Sequence, residues 1–455
     1  MTSMREVVAT NSAVSTKSAP SAYRATLFFC VDDPSRVGPA AATRTILDGL
    51  LVVQGGRVVA VGEALELLPT LPADCPVHVF SECIIIPGFI DIHLHYVQTE
   101  MIGAFGEQLL DWLDIYAFPT EKKFADPAYS RGVAEVFLSE LLRNGTTTAM
   151  VFGSVHAESV HAFFQAAQAR GLRMIAGKVM MDRHAPVELL DTAQSSYAEN
   201  QEIIARWHGR DRLGVAITPR FAPTSSWAQL ERAGQLLQEH SGLYLQTHLS
   251  ENRSELAWVQ ELFPDKPDYL SVYEDAGLLG PRTVFAHAIH LSPSEFERLG
   301  RSGSAIAFCP TSNLFLGSGL FDLSAARKTG CQLGFGTDVG AGTSFSMFHT
   351  MRAAYETQQL QGVKLHPFEA FYTATLGAAR ALGLEDKIGT LAPGLEADFV
   401  VLDCHATPLL EFRMARAATI LEKLFAIIVL GDDRVVQATY SAGVCVHRRD
   451  GDGGG

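Results

Sequence analysis

The chain has 455 residues, 47% hydrophobic and 19% charged, a mixture that buries a sizeable core, and no apolar run is long enough to span a bilayer. A formal charge of −14 leaves no basic face to displace counterions, which argues against nucleic acid or an anionic membrane as partner and for a small, not strongly anionic ligand. Seven cysteines without a C-x-x-C spacing read as reduced, core-filling thiols of a cytoplasmic protein and not as a disulfide framework.

Residues 1–25 are rich in Ser, Thr and Ala and lack an apolar signal-peptide core, so a disordered tail is expected there, and another over 450–455. Short β-prone pieces at 26–31, 50–53, 57–61 and 77–80, punctuated by Gly, Pro and Asp, predict a small β module over 26–83. Similar writing returns over 389–449, with pieces at 397–402, 425–430 and 435–440, so both chain ends are expected to build one β-sandwich. Between them, over 84–388, strands and helices alternate. Strands are predicted at 84–92, 146–152, 173–180, 213–217, 243–247, 283–286, 305–308 and 332–336, and helices at 134–143, 162–170, 227–240 and 293–299. Ser292 is the expected N-cap of the last helix, with Pro293 at its first position. The fold class is therefore α/β: a closed (β/α)8 TIM-like barrel of typical size, about 250 residues, plus the small sandwich. No G-x-G-x-x-G or G-x-x-x-x-G-K follows the first strand, so nothing supports an open nucleotide-binding sheet.

The chemistry is concentrated at strand ends. Pro87-Gly88-Phe89-Ile90-Asp91-Ile92-His93-Leu94-His95 runs an apolar strand into two histidines spaced i, i+2, whose imidazoles point the same way because side chains alternate. Alone, such a pair is as readily two surface histidines. His248, His287 and Asp338, however, each end an apolar run of their own, where a parallel barrel places its chemistry, and the set closes on one metal. Zinc lowers the pKa of its water to about 7, and a ligating aspartate can take that proton. Glu251, three residues after His248, reads as a proton shuttle or as a first-turn helix glutamate favoured by the dipole. Arg220, a cation at a strand end in an acidic protein, is aimed either at an electron-rich ligand or at a neighbouring carboxylate.

From about residue 84 to 434 the chain resembles the guanine deaminases of the amidohydrolase superfamily. The motifs are PGFIDIHLHYVQ, LLDWLDIYAFPTEKKF (109–124), NGTTTA, TPRFAPTSS (218–226), THLSEN, AHAIHLS, FCPTSNLFLGSGLF (308–321) and GTDVGAGTSFSM. The resemblance implies one zinc per chain, iron not excluded, held by His93, His95, His248 and Asp338, with His287 as a hydrogen-bonding partner or weaker ligand. It implies Gln98, Arg220 and Phe221 around a purine, Glu251 and Asp338 as the proton-moving pair, guanine as substrate and a homodimer. Two departures bear on this. Ile92 stands where threonine is usual, and strand four carries no lysine to bridge a second metal, Lys178 lying on strand three. Deamination of another aminated heterocycle (8-oxoguanine, cytosine, a triazine) is the alternative enzyme reading, and a non-catalytic binding barrel the alternative beyond enzymes.

Overall fold

The computed structural model describes residues 19–106 and 108–450. Most of the expected tails, 1–18 and 451–455, lies outside the described residues. The first strand begins at Ser21, inside the segment expected as tail, because Ala22, Tyr23, Ala25 and Leu27 are all buried there.

Sixteen strands are described: β1 (Ser21–Cys30), β2 (Thr43–Gln54), β3 (Arg57–Glu63), β4 (Val77–Pro87), β5 (Phe89–His95), β6 (Thr146–Phe152), β7 (Arg173–Gly177), β8 (Val179–Met180), β9 (Gly214–Pro219), β10 (Tyr244–Leu249), β11 (Thr283–His287), β12 (Ala305–Phe308), β13 (Gln332–Phe335), β14 (Phe399–Asp403), β15 (Val436–Ser441) and β16 (Val444–Arg448). Both chain ends join one seven-stranded sheet in the order β16-β15-β14-β4-β1-β2-β3. It bends until its edges meet, bringing Arg57 into a bridge with Glu396 and Gly56 against Ala442, and encloses Leu27, Leu51, Ile85, Phe399 and Tyr440.

The second sheet runs β5-β6-β7-β9-β10-β11-β12-β13, every pair parallel, with β8 also paired to β9. It closes into a (β/α)8 barrel where His95 N–H donates to Val339 O at 2.7 Å and Asp338 N–H to His93 O at 2.9 Å. Ile90, Ile92, Met150, Ile175, Ala216 and Val284 pack together within this sheet. The predicted helices lie within Pro127–Arg143, Ala157–Ala169, Trp227–Glu239 and Pro293–Ser302, the last capped by Ser292 as expected.

Three expectations need correction. The strand expected over 84–92 is two strands, β4 and β5, in different sheets. The chain passes between them at Gly88, where a Cβ would meet Thr147 Oγ1 at 2.1 Å. The strand expected over 173–180 is interrupted at Lys178, whose buried ammonium reaches Asp191 at 2.6 Å and Glu199 at 3.1 Å. The apolar run 425–430 is not β but the end of a helix, Ile420–Leu430, started by a Thr419/Glu422 capping box and packed on the barrel side with Phe425 against Tyr355. Among the described residues no helix is long and apolar enough to cross a membrane.

The two sheets are tied by charge. Glu396, beside β14, accepts from Arg173 Nε at 2.9 Å and Arg212 Nη2 at 2.6 Å, and Arg212 also pairs with Asp398. Burial raises the Glu396 pKa, but the hydrogen bond from Arg173 and the charge of Arg212 outweigh it and hold the carboxyl below its ordinary range. Glu396→Gln leaves two largely buried guanidinium groups short of a partner. It should cost about 3 kcal/mol and lower the urea midpoint measurably. Because the folded pKa is depressed, this contribution is present above the ordinary glutamate value and lost as pH falls through the depressed one. The gap in midpoint between wild type and Glu396→Gln should therefore close on acidification, and a gap independent of pH would refute the ionic account.

Candidate active site

The histidines and aspartate picked out in the sequence meet at the C-terminal mouth of the barrel. His93 and His95 close β5, His248 lies near the end of β10, His287 ends β11, and Asp338 follows β13. All are buried except His248, which is partly covered. His93 Nε2 and His95 Nε2 lie 3.3 and 3.5 Å from Asp338 Oδ1, His248 Nε2 3.3 Å from His95 Nε2, and His287 Nε2 3.9 Å from Asp338 Oδ2. Two sets of ligating atoms, from His93, His248 and His287 and from His93, His95 and Asp338, each fall within 4.8 Å of one another.

The surroundings fix which nitrogen faces inward. His248 Nδ1–H donates to Arg220 O at 2.7 Å and His287 Nδ1–H to Asn313 Oδ1 at 2.9 Å, which turns both Nε2 lone pairs to the centre. Phe152 packs on His95, His248 and His93, with ring centroids 4.5, 4.9 and 5.0 Å away. Asp91, fully buried, accepts from the backbone N–H groups of His93 and Thr337, both at 3.2 Å, and so ties the β5 end to the segment that carries Asp338.

Burial and mutual repulsion hold the His95 and His248 pKa values well below the ordinary histidine value, so both imidazoles are neutral. Burial works the other way on Asp338, but the approach of His93 Nε2 to 3.3 Å and the neighbouring imidazoles prevail, and its pKa is held at about 2. Among the described residues, His93 Nδ1 and Nε2, His95 Nδ1 and His287 Nε2 are buried without a hydrogen-bond partner. Orphan donors and acceptors of this kind are costly, and inward-facing imidazoles with one carboxylate are the donor set that suits a divalent transition metal. The residues present fit such an ion.

Glu251 precedes the helix Arg253–Leu262 and its N-cap Asn252; the first-turn capping carboxylate is Glu255, which accepts from Glu251 N–H at 2.8 Å. The dipole reading of Glu251 is thereby removed. Its Oε1 accepts from Ser318 Oγ at 3.3 Å, its Oε2 lies 3.4 Å from His287 Nε2, and burial pushes its pKa up to about 7. A carboxyl that exchanges a proton near neutrality can serve as acid and base in turn.

A cavity opens over this cluster, walled by Leu109, Trp112, Leu113 and Leu316 and lined by Gln98, Arg220, Phe221 and Glu251. The two readings of Arg220 both hold. It lines the cavity and also pairs with the fully buried Glu121, Nη1 to Oε2 at 2.7 Å, while Gln98 Nε2 donates to the other oxygen at 2.8 Å.

The profile of the Amidohydrolase family matches residues 84–446. The chain belongs to the amidohydrolase family. A guanine deaminase of Escherichia coli (strain K12) is 50% identical over 420 residues, covering 92% of this chain and 95% of that protein. The solved structure of E. coli guanine deaminase superposes with a TM-score of 0.92 at 50% identity, over 94% of this chain and all of that one. A guanine deaminase from C. acetobutylicum, solved with bound guanine in the active site, gives a TM-score of 0.85 at 30% identity, over 94% of this chain and 100% of that chain.

In this amidohydrolase barrel His93, His95, Gln98, Arg220, Phe221, His248, Glu251, His287 and Asp338 lie at one mouth, and several residues that hold them carried no recognised signal in the sequence. Asn313 and Ser318 lie in the quoted segment 308–321, and Glu121 in 109–124, yet none received a role; Phe152 and Asp91 read as ordinary strand residues.

Protein stripped with a chelator and reloaded with zinc should bind the metal and gain several degrees in thermal midpoint. His93→Ala and Asp338→Ala should each cut the metal content to a small fraction of wild type. Elemental analysis decides this, and full metal retention in both variants would refute the assignment.

Proposed function

We propose that this chain hydrolyses guanine to xanthine and ammonia. The observation that carries the reading is one cavity in which a buried cluster of imidazoles and Asp338 faces a wall of hydrogen-bond donors, Gln98 and Arg220. The amidohydrolase relatives named above, the guanine-bound one among them, support the same substrate.

In this reading one zinc per chain is held by His93, His95, His248 and Asp338, iron being the other metal that imidazoles suit. Strand β9, the fourth of the barrel, has no lysine, which favours a single ion. When bound, zinc supplies the Lewis acidity that brings the pKa of a water to about 7. Gln98 and Arg220 bind the purine edge that carries the 6-carbonyl, and Phe221 packs against the ring. Asp338 takes a proton from the attacking water as a C–O bond forms at the ring carbon bearing the 2-amino group, and Glu251 gives its proton to the adjoining ring nitrogen. Asp338 then protonates the amino nitrogen and the C–N bond breaks. The hydroxyl proton of the adduct returns to Glu251, so that water and guanine leave as xanthine and ammonia. Burial lowers the His287 pKa, but the charges of Glu251 and Asp338 prevail and raise it; once protonated at Nε2, 3.4 Å from Glu251, the ring, oriented by Asn313, steadies the negative charge that Glu251 carries between its two transfers. The family resemblance further supports a homodimer, and seven free cysteines are consistent with the cytoplasm.

Glu251→Gln keeps the shape but cannot carry the proton. It should lower kcat by about 10² to 10⁴ while metal content stays near that of wild type. Near-normal kcat would move the shuttle role to Asp338 alone.

Guanine should be deaminated far better than adenine, because Arg220 would meet a 6-amino group as donor against donor. Leaving one buried donor unpaired costs about 1 to 3 kcal/mol, more for a charged one. Ammonia release from a panel of purines, pyrimidines and triazines reads this directly, and a preference for cytosine, adenine or a triazine over guanine would refute the substrate assignment.

A further inference from the structure

The donor wall depends on a carboxylate that belongs neither to the cluster of imidazoles nor to the lining of the cavity. Glu121 ends the short helix Phe118–Glu121, is fully buried, and gives one oxygen to Gln98 Nε2 and the other to Arg220 Nη1. These partners come from different strands of the barrel, one just after β5 and the other just after β9. We propose that Glu121 is the positioning residue that sets substrate polarity, by fixing both Gln98 and Arg220 as donors toward the ligand.

For Gln98 the argument turns on what a carboxylate can do. An ionised carboxylate only accepts, so the amide end that faces Glu121 must be the nitrogen. The other end is held from the opposite direction, where Gly340 N–H donates to Gln98 Oε1 at 3.3 Å. The carbonyl oxygen is therefore occupied, and the second N–H of the amide is what the side chain retains for a ligand. Arg220 has no acceptor at all, gives Nη1 to Glu121 and lies over the Phe118 ring at 5.4 Å, so its plane is held from two sides. With both side chains restricted to donating, the wall accepts a ring edge that presents acceptors, such as a carbonyl oxygen, and rejects one that presents an amino group. Charge supports the arrangement too. The guanidinium is buried, and without Glu121 it would be uncompensated beside inward-facing imidazoles.

Replacing Glu121 by Gln alters this logic at one atom. The new amide can still accept on one side, but its NH₂ must oppose either Gln98 Nε2 or Arg220 Nη1, which frees the Gln98 amide to turn its oxygen outward. The inference rests on the proposed purine deamination and sharpens it by naming what enforces the choice of a 6-carbonyl.

The experiment compares wild type and Glu121→Gln by calorimetric binding of hypoxanthine, which has the 6-carbonyl but no 2-amino group, and of adenine, and by steady-state kinetics on guanine and 2,6-diaminopurine. In Glu121→Gln, hypoxanthine affinity should fall at least tenfold. KM for guanine should rise by a similar factor with kcat changed less, and the ratio of kcat/KM for guanine over 2,6-diaminopurine should drop at least tenfold. Metal content should be unchanged. A variant that keeps wild-type hypoxanthine affinity and the wild-type ratio overturns the role of Glu121, as does one that loses affinity for all four purines equally, since that marks general loosening. If Glu121→Gln fails to fold, Gln98→Glu provides the second arm: it sets two carboxylates against each other and should likewise lower the ratio, and an unchanged ratio overturns the proposal. Failure of the underlying reading looks different, because wild type itself would then release no ammonia from guanine.

Discussion

Everything at the barrel mouth depends on how the barrel closes. The last seam joins β5 to the segment after β13 through two backbone hydrogen bonds, His95 N–H to Val339 O and Asp338 N–H to His93 O. Three of the four residues making the seam, His93, His95 and Asp338, are ones whose side chains form the cluster. A shift of one residue in register would turn His93 and His95 away together, because side chains alternate along a strand. Asp91 reinforces the seam from below by accepting from the backbone on both sides of it. Gly336 permits it, since a Cβ there would meet His93 Cβ and Cys309 Sγ, each at 2.8 Å.

Holding side chains inward at strand ends carries a backbone cost, and it is paid locally. Asp338 has φ 54°, His287 φ 69°, Ala288 φ 50° and Ser250 φ 51°, left-handed values that residues with a Cβ rarely adopt. Each costs of order 1 to 3 kcal/mol and persists only where the surroundings over-determine it. Here they do. Ala288 N–H donates to Leu249 O at 2.9 Å and His290 N–H to Ser250 O at 3.0 Å, locking the ends of β10 and β11 to one another.

How much of this was legible in the sequence follows from the range of the forces involved. The alternation that places His93 and His95 on one face is local, and so is the capping of Pro293 by Ser292, and both could be read. The barrel could be inferred from the succession of strands and helices without knowing any contact. The break at Gly88 was hidden because two buried strands in different sheets write one continuous apolar run, and only the glycine marks the passage. The helix ending at Leu430 was misread because six apolar residues have no period to count; the Thr419-x-x-Glu422 cap just before them was the better evidence. Glu121 was out of reach for another reason. Its partners lie 23 and 99 residues away, and nothing local distinguishes a carboxylate that orders a pocket from one that faces water.

The two carboxylates at the cluster illustrate how one fold separates tasks between groups of the same chemistry. Asp338 lies among imidazoles, and despite its burial the close approach of His93 and the neighbouring His287 ring keep its pKa at about 2, so it faces the cluster as an anion fit to ligate and to accept a proton. Glu251, only one imidazole away, has a single hydroxyl from Ser318 and the ring of His287 to offset its desolvation, and burial prevails, pushing its pKa up to about 7. The proposed reaction, which must take a proton from water, deliver one to a ring nitrogen and deliver another to a leaving amine, needs an acid and a base at the same pH. Environments that drive two carboxyl groups apart supply both without a second residue type.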